Sequence, residues 1–342
     1  MENNTTCHDF GGGETWHVTP FERFRVLDCF FILIGIIGNS FVIYIQLSLS
    51  EARIGRDSSS TNRLVVCLAI ADLCTAIFLT PVPRIVNIPN TAAGKFYCHI
   101  ISSRYLLWVS FRASVYTLST IAIERFLAIA HPYTYRIWAH KNYVRYAVLA
   151  IWLCPVIMRF PMMYFRTVDE CGRCRSRYPE SNSLKVYYSF LFVMEYLCPL
   201  IIILYTNTRV IVVLGRGRFD QEDTSDPTAS QQSTHLQSAR RRLTVMFIFI
   251  CASFILLSTP DQLGIFLFRI GALPRTYPST VIFDVFVTIS FLNAAVANPV
   301  IYSVCLPTFR QAVKGLLMCR GIDRTRSSLM VPTTSSMATS SA

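Results

Sequence analysis

Ionisable side chains stand inside or at the edges of long apolar runs: Asp72, Arg112, Glu124 with Arg125, Arg159, Glu195, Asp261 and Asp284. A charge at the centre of a hydrocarbon layer costs about 2.5–3.5 kcal/mol on insertion scales, so each needs a partner, an ion or a ligand. Opposite charges among them suit ion pairs and a polar binding pocket. Covalent catalysis finds no machinery. There is no His-Glu-x-x-His, no Gly-x-Ser-x-Gly and no catalytic aspartate pair, so the chain reads as a non-enzyme. Cys171-Gly-Arg-Cys174 could be half a zinc site or a redox pair, but no second ligand pair accompanies it. Pro260 directly before Asp261 sets a helix breaker beside an acid in mid-run.

Seven apolar runs position these residues, at about 26–47, 64–85, 98–129, 143–165, 186–214, 243–270 and 278–305. Each can cross a bilayer core roughly 30 Å thick. Of the 342 residues, 52% are hydrophobic and only 15% charged. Soluble domains carry about 25% charged residues, and this chain has too little polar sequence to coat a soluble helical core. The fold class is therefore all-α: a seven-transmembrane helix bundle with a short amphipathic cytoplasmic helix. The expected divisions are a tail at 1–25, the membrane domain at 26–305, the surface helix at 306–319 and a disordered Ser/Thr-rich tail at 320–342. In the surface helix, Phe309, Val313, Leu316 and Leu317 recur at helical spacing. Residues 215–238 read as a flexible polar loop.

Basic residues set the topology. Arg125, Arg136, Lys141 and Arg145, then Arg240 to Arg242, then Arg310, Lys314, Arg320, Arg324 and Arg326 fall on one side, which is cytoplasmic. The basic loop 166–185 is the exception. The chain is thus expected to be a multi-pass membrane protein, in the plasma membrane, with its N-terminus extracellular and its C-terminus cytoplasmic. The net charge of +12 is mainly a topology signal, and no nucleic-acid partner is expected. The N-terminal tail lacks the apolar core of a signal peptide and carries glycosylation sequons at Asn3 and Asn4. Cys7, Cys98, Cys171 and Cys174 fall outside, where disulfides persist, so Cys98 is expected to bridge Cys171 or Cys174, with Cys7 available for a second bridge. Cys319, at the membrane edge, is a palmitoylation candidate.

The polar residues also form an ordered set, one group per span: Gly38-Asn39, "LAIADL" with Asp72, "STIAIERFLAI" with Glu124 and Arg125, Trp152, Pro199, Phe254 with Pro260, and "NPVIY" from Asn298 to Tyr302. This resembles the rhodopsin-like G-protein-coupled receptors over about residues 26–318. The resemblance implies an activation switch made of Glu124, Arg125, Phe254, Pro260, Asn298, Pro299 and Tyr302, with Asn207 where span five often has Tyr. Arg125 is held by its neighbouring carboxylate at rest and reaches the G protein when freed. The resemblance also implies an allosteric sodium site at Asp72, Ser114 and Asn298, although Ala294 and Ala295 replace polar residues often found there. No other cofactor or metal is implied. Two departures stand out. Ser258 takes the place of the family's span-six Trp, and Cys98 precedes Arg125 by 27 residues (125 − 98), two more than is usual.

Leu107 stands where amine receptors carry an acid, and Thr288 where an opsin carries its retinal-linking Lys. The expected pocket is Arg104, Leu107, Arg112, Glu195, Asp261, Gln262, Asp284 and Thr288. Arg112 is expected to face Glu195, leaving Asp261 and Asp284 for a basic ligand group. Such a mixed-charge pocket under a basic loop suits a peptide. "HPYTYR", "MRFPMMY" and "PLIIILYTNTRVI" look like invertebrate FMRFamide-type neuropeptide receptors, whose ligands end in Arg-Phe-amide. The expected function is a neuropeptide receptor that activates heterotrimeric G proteins and meets receptor kinases and arrestin through its C-terminal tail, within membrane lipids. A small-molecule or lipid receptor is the alternative. A transporter or channel is more distant, since the chain has no internal repeats.

Overall fold

A computed structural model describes residues 16–19, 26–51, 60–80, 84–138, 141–164, 166–176, 182–216, 227–274, 276, 280–305 and 309–310. Among these residues, six helical stretches are long and apolar enough to cross a membrane. The first, second and fourth spans are the helices Val26–Glu51, Ser60–Leu79 and Lys141–Tyr164. The third is Tyr105–Ala130, the sixth Pro227–Ile270. Span five joins Asn182–Phe192, a π-helical turn at Val193–Leu197 and Cys198–Arg216. Span seven joins Val281–Leu292, a π turn at Asn293–Ala297 and Asn298–Cys305.

Both of these π turns precede a proline. Pro199 and Pro299 lack the N–H that the carbonyl four residues back would accept, and the backbone widens by one residue to accommodate the ring. At the start of span three, Thr91 caps the short helix Ala92–Phe96, which runs into a third π turn at Tyr97–Ser102. Ser103 comes next, then Arg104 with φ 53° in the left-handed region. This irregular stretch lies between Cys98 and Arg125, the interval that is two residues longer than is usual.

The boundaries differ from expectation in two places. Span two stops at Leu79, short of 85, because Pro81 and Pro83 cannot continue a helix. The chain beyond forms strand β2 (Arg84–Val86), antiparallel to β1 (His17–Thr19) in the tail. Span six starts at Pro227, inside the expected loop 215–238. Proline suits a first helical position, and Ala, Gln and Leu at 229–239 are good helix formers. Its 44 residues reach about 66 Å, roughly twice the hydrocarbon thickness, so this helix extends well beyond the bilayer.

Span three is the axis of the bundle. Phe111, Val115, Leu118 and Ile121 are buried with Leu68, Ile203, Ile250, Phe254 and Tyr302 in one core. Gly38 lets span one meet span seven, since a Cβ there would lie 2.9 Å from Pro299 Cγ. Phe30, Leu33, Ile37, Ile157, Ile201 and Leu256 are exposed on the outer surface, as lipid-facing side chains are. At one end, β3 (Arg166–Val168) and β4 (Cys174–Ser176) form a hairpin. Cys98 bridges Cys174 with Cα atoms 5.3 Å apart. Cys171 is disulfide-bonded too, to a partner outside the described residues, so the two cysteines do not form a redox pair with each other. At the opposite end Phe309 is buried against Phe41 and Tyr302. Asn3, Asn4, Cys7, Cys319 and the rest of the expected surface helix lie outside the described residues.

Candidate functional site

The π turn of span five presents Glu195 inward, where two guanidinium groups meet it. Arg159 Nε donates to its Oε1 at 3.0 Å, and Arg112 Nε lies 3.1 Å from its Oε2. Arg112 Nη1 also donates to the Glu195 backbone carbonyl at 3.3 Å. That carbonyl is the one Pro199 leaves without its helical donor, so Arg112 satisfies both the acid and the defect that exposes it. Arg112 Nη2 then donates to Gln262 Oε1 at 2.5 Å, and Gln262 Nε2 donates to Asp261 Oδ2 at 2.7 Å. The chain Arg159–Glu195–Arg112–Gln262–Asp261 therefore crosses spans four, five, three and six. All five residues are buried. Trp108 lies near both arginines, with guanidinium carbons 6.0 Å (Arg112) and 5.0 Å (Arg159) from its ring centroid.

Above this chain lies a cleft of about 190 Å³. Arg112, Arg159, Glu195 and Gln262 line it together with an aromatic wall that includes Trp108, Phe192, Tyr196 and Phe266. Phe192 and Phe266 stack with centroids 4.1 Å apart. Arg269 also lines the cleft, its guanidinium 4.8 Å from the Tyr188 ring. An aromatic lining with a few convergent polar groups suits a ligand pocket. Helical spacing from the polar anchors would have found this wall: Phe266 and Arg269 lie at i+4 and i+7 from Gln262, and Phe192 precedes Glu195 by three.

Of the expected pocket residues, Arg112, Glu195 and Gln262 line the cleft. The other five do not. Arg104 donates to the Leu79 carbonyl of span two. Leu107 is core. Asp261 is 2% exposed, held behind Gln262 with Ser290 beside it. Its neighbour Gln262, and not Asp261, lines the cleft. Asp284 sits in the first turn of span seven, and Thr288 donates to its backbone carbonyl.

Deeper in the bundle, Ser114 donates to Asp72 Oδ1 at 2.5 Å and Asn298 to Oδ2 at 2.7 Å. Asn298 Oδ1 is buried without a hydrogen-bond partner. Ser258 is fully buried, with Phe254 one turn below it in the core. Span six runs through Pro260 as one helix; beside it, the Tyr196 hydroxyl of span five bonds Thr259 at 2.6 Å. Asn207 of span five lies beside the Cys251 thiol of span six.

At the far end, Arg125 is held in place. It lies 3.5 Å from Glu124 Oε2 and donates to the Thr61 hydroxyl of span two. Thr61 donates in turn to Glu124 Oε1 at 3.2 Å. Tyr135, on the helix Pro132–Trp138 after span three, donates to the same oxygen at 3.1 Å. Burial, with Glu124 nearby, raises the Tyr135 phenol above its usual range and keeps it a donor. The Tyr302 hydroxyl is buried without a hydrogen-bond partner.

The family model described as "7 transmembrane receptor (rhodopsin family)" matches residues 38–302. The chain belongs to this family. It is therefore a rhodopsin-like G-protein-coupled receptor, a signalling membrane protein and not an enzyme. It is 28% identical to galanin receptor type 1 of Rattus norvegicus over 310 residues, covering 87% of this chain and 84% of that one. It is 27% identical to the substance-P receptor of Mus musculus over 298 residues, 84% of this chain and 69% of that one. Galanin receptor type 2 of Homo sapiens matches at 25% over 323 residues, 91% of this chain and 76% of the relative.

Proposed function

We propose that this receptor sits in the plasma membrane with its N-terminus outside, binds an extracellular neuropeptide in the aromatic cleft, and promotes nucleotide exchange on a heterotrimeric G protein. The observation that carries this reading is the cleft itself, about 190 Å³, walled by aromatic rings and floored by the buried Arg159–Glu195–Arg112–Gln262 chain. A peptide supplies side chains for such a wall and backbone carbonyls for such donors. Relatives named for galanin and substance P support the class, and the narrower motif likeness to FMRFamide-type receptors belongs to the same reading. Among the described residues that line the cleft, the one acid, Glu195, already serves two arginines, and Asp261 lies behind Gln262.

The cytoplasmic end works through Arg125, which must leave Glu124 and Thr61 to reach a G protein. Asp72, Ser114 and the unpartnered Asn298 Oδ1 together form an oxygen set that fits sodium, a hard cation. These residues would hold the ion, which would supply positive charge beside Asp72. Receptor kinases and arrestin at the C-terminal tail, palmitoylation at Cys319 and glycosylation at Asn3 and Asn4 complete the proposal.

A neuropeptide library, amidated peptides included, screened with calcium and cyclic-AMP readouts tests the ligand class. A response to lipids or small molecules alone would replace it. In the same cells, Arg125→Ala is expected to abolish signalling with surface expression kept. Undiminished signalling by that variant would remove the proposed coupling role.

A further inference from the structure

We propose that the Arg112–Gln262 hydrogen bond holds span six in the resting state, and that Gln262 is the positioning residue for activation in place of the missing span-six aromatic. This rests on the reading of the chain as a G-protein activator. Three observations lead to it. First, Ser258, where the family carries a Trp, is fully buried, and its hydroxyl has no hydrogen-bond partner. It offers neither a bulky lever nor a polar link. Second, four residues further along the same helix, Gln262 makes a direct side-chain link to span three, at 2.5 Å. Third, the orientation of that amide is dictated by its neighbours. Arg112 can only donate and the Asp261 carboxylate can only accept, so the Gln262 oxygen faces Arg112 and its NH₂ faces Asp261.

Arg112 is itself immobilised by Glu195, through its side chain and its backbone carbonyl. Span three is therefore the fixed partner and span six the movable one. Both bonded residues line the cleft, so a ligand meets the link directly. A ligand acceptor that takes the Arg112 donor releases Gln262, and with it the outer half of span six. Asp261, behind the link, orients Gln262 without touching the ligand.

Ligand-independent nucleotide exchange in membranes containing the full-length receptor and added G protein tests this without knowledge of the ligand. Gln262→Leu removes the acceptor at similar volume and is expected to raise basal exchange about tenfold. Gln262→Glu keeps an acceptor and adds charge to the bond, so basal exchange is expected to fall below wild type. Asp261→Asn, which weakens the orientation, is expected to raise it less than Gln262→Leu does. A purely structural role predicts lower surface expression in all three and no opposite signs. Basal exchange in surface-expressed Gln262→Leu that equals wild type, or is absent, overturns the proposal. So does a rise in Gln262→Glu. The library response of the wild type tests the receptor reading separately: a responsive wild type with an unaltered Gln262→Leu defeats the link alone.

Discussion

Glu195 shows how much one side chain can carry in this bundle. The residue is 1% exposed, and its carboxylate faces two arginines. Removing one partner of a buried ion pair leaves an uncompensated charge, which typically costs about 3–5 kcal/mol. Glu195→Gln leaves two such charges face to face and is expected to lower the unfolding midpoint of the purified receptor severely. Arg159→Met alone is expected to cost less, because Arg112 keeps Glu195 occupied. The double variant Glu195→Gln/Arg159→Met is expected to recover part of the Glu195→Gln loss, and thermal unfolding of the three variants checks the order. The Arg112–Glu195 pairing was legible in the sequence, since two opposite charges at similar depth in apolar runs must find each other. The place of Asp261 was not. Adjacent residues on a helix point about 100° apart, and whether residue 261 or 262 faces the cleft depends on how span six is rotated, which packing decides.

At the scale of the element, hydropathy located all seven spans, because the bilayer imposes a length and an apolar composition that few other structures share. It could not locate the π turns, which change the rotation of a span without changing its composition. Pro199 shows the consequence. In an ordinary helix interior, Pro→Ala stabilises by about 3 kcal/mol. Here an N–H at position 199 would compete with Arg112 for the Glu195 carbonyl, close the π turn into α-helix and rotate Glu195 away from its arginines. Pro199→Ala is therefore expected to lower the unfolding midpoint, against its helix propensity. A raised midpoint would show that the π turn does not depend on the proline. The strand pair β1–β2 was equally hidden. Three-residue strands carry almost no periodicity. The signal that was present, Pro81 and Pro83 ending span two, marks where a helix stops but does not specify the strand after it.

Across the whole molecule, span three is gripped at both ends by different chemistry. Arg112 holds Gln262 of span six near the cleft, and Arg125 is tied to Thr61 of span two near the opposite face. Thirteen residues separate the two arginines (125 − 112), about 20 Å along the helix. They share no bonded partner. If both contacts favour the same resting arrangement, their free energies add, since well-separated sites without shared partners behave independently. Thr61→Ala frees one restraint on Arg125 and is expected to raise basal nucleotide exchange on its own, though less than Gln262→Leu, because Glu124 still faces the guanidinium at 3.5 Å. In the double variant Thr61→Ala/Gln262→Leu, the two fold-increases are expected to multiply until exchange saturates. Basal exchange measured in the four proteins gives the coupling directly. A double variant no more active than Gln262→Leu, and still below saturation, would mean that the Thr61 contact does not restrain the same equilibrium, and that the far end of span three responds only after span six has moved.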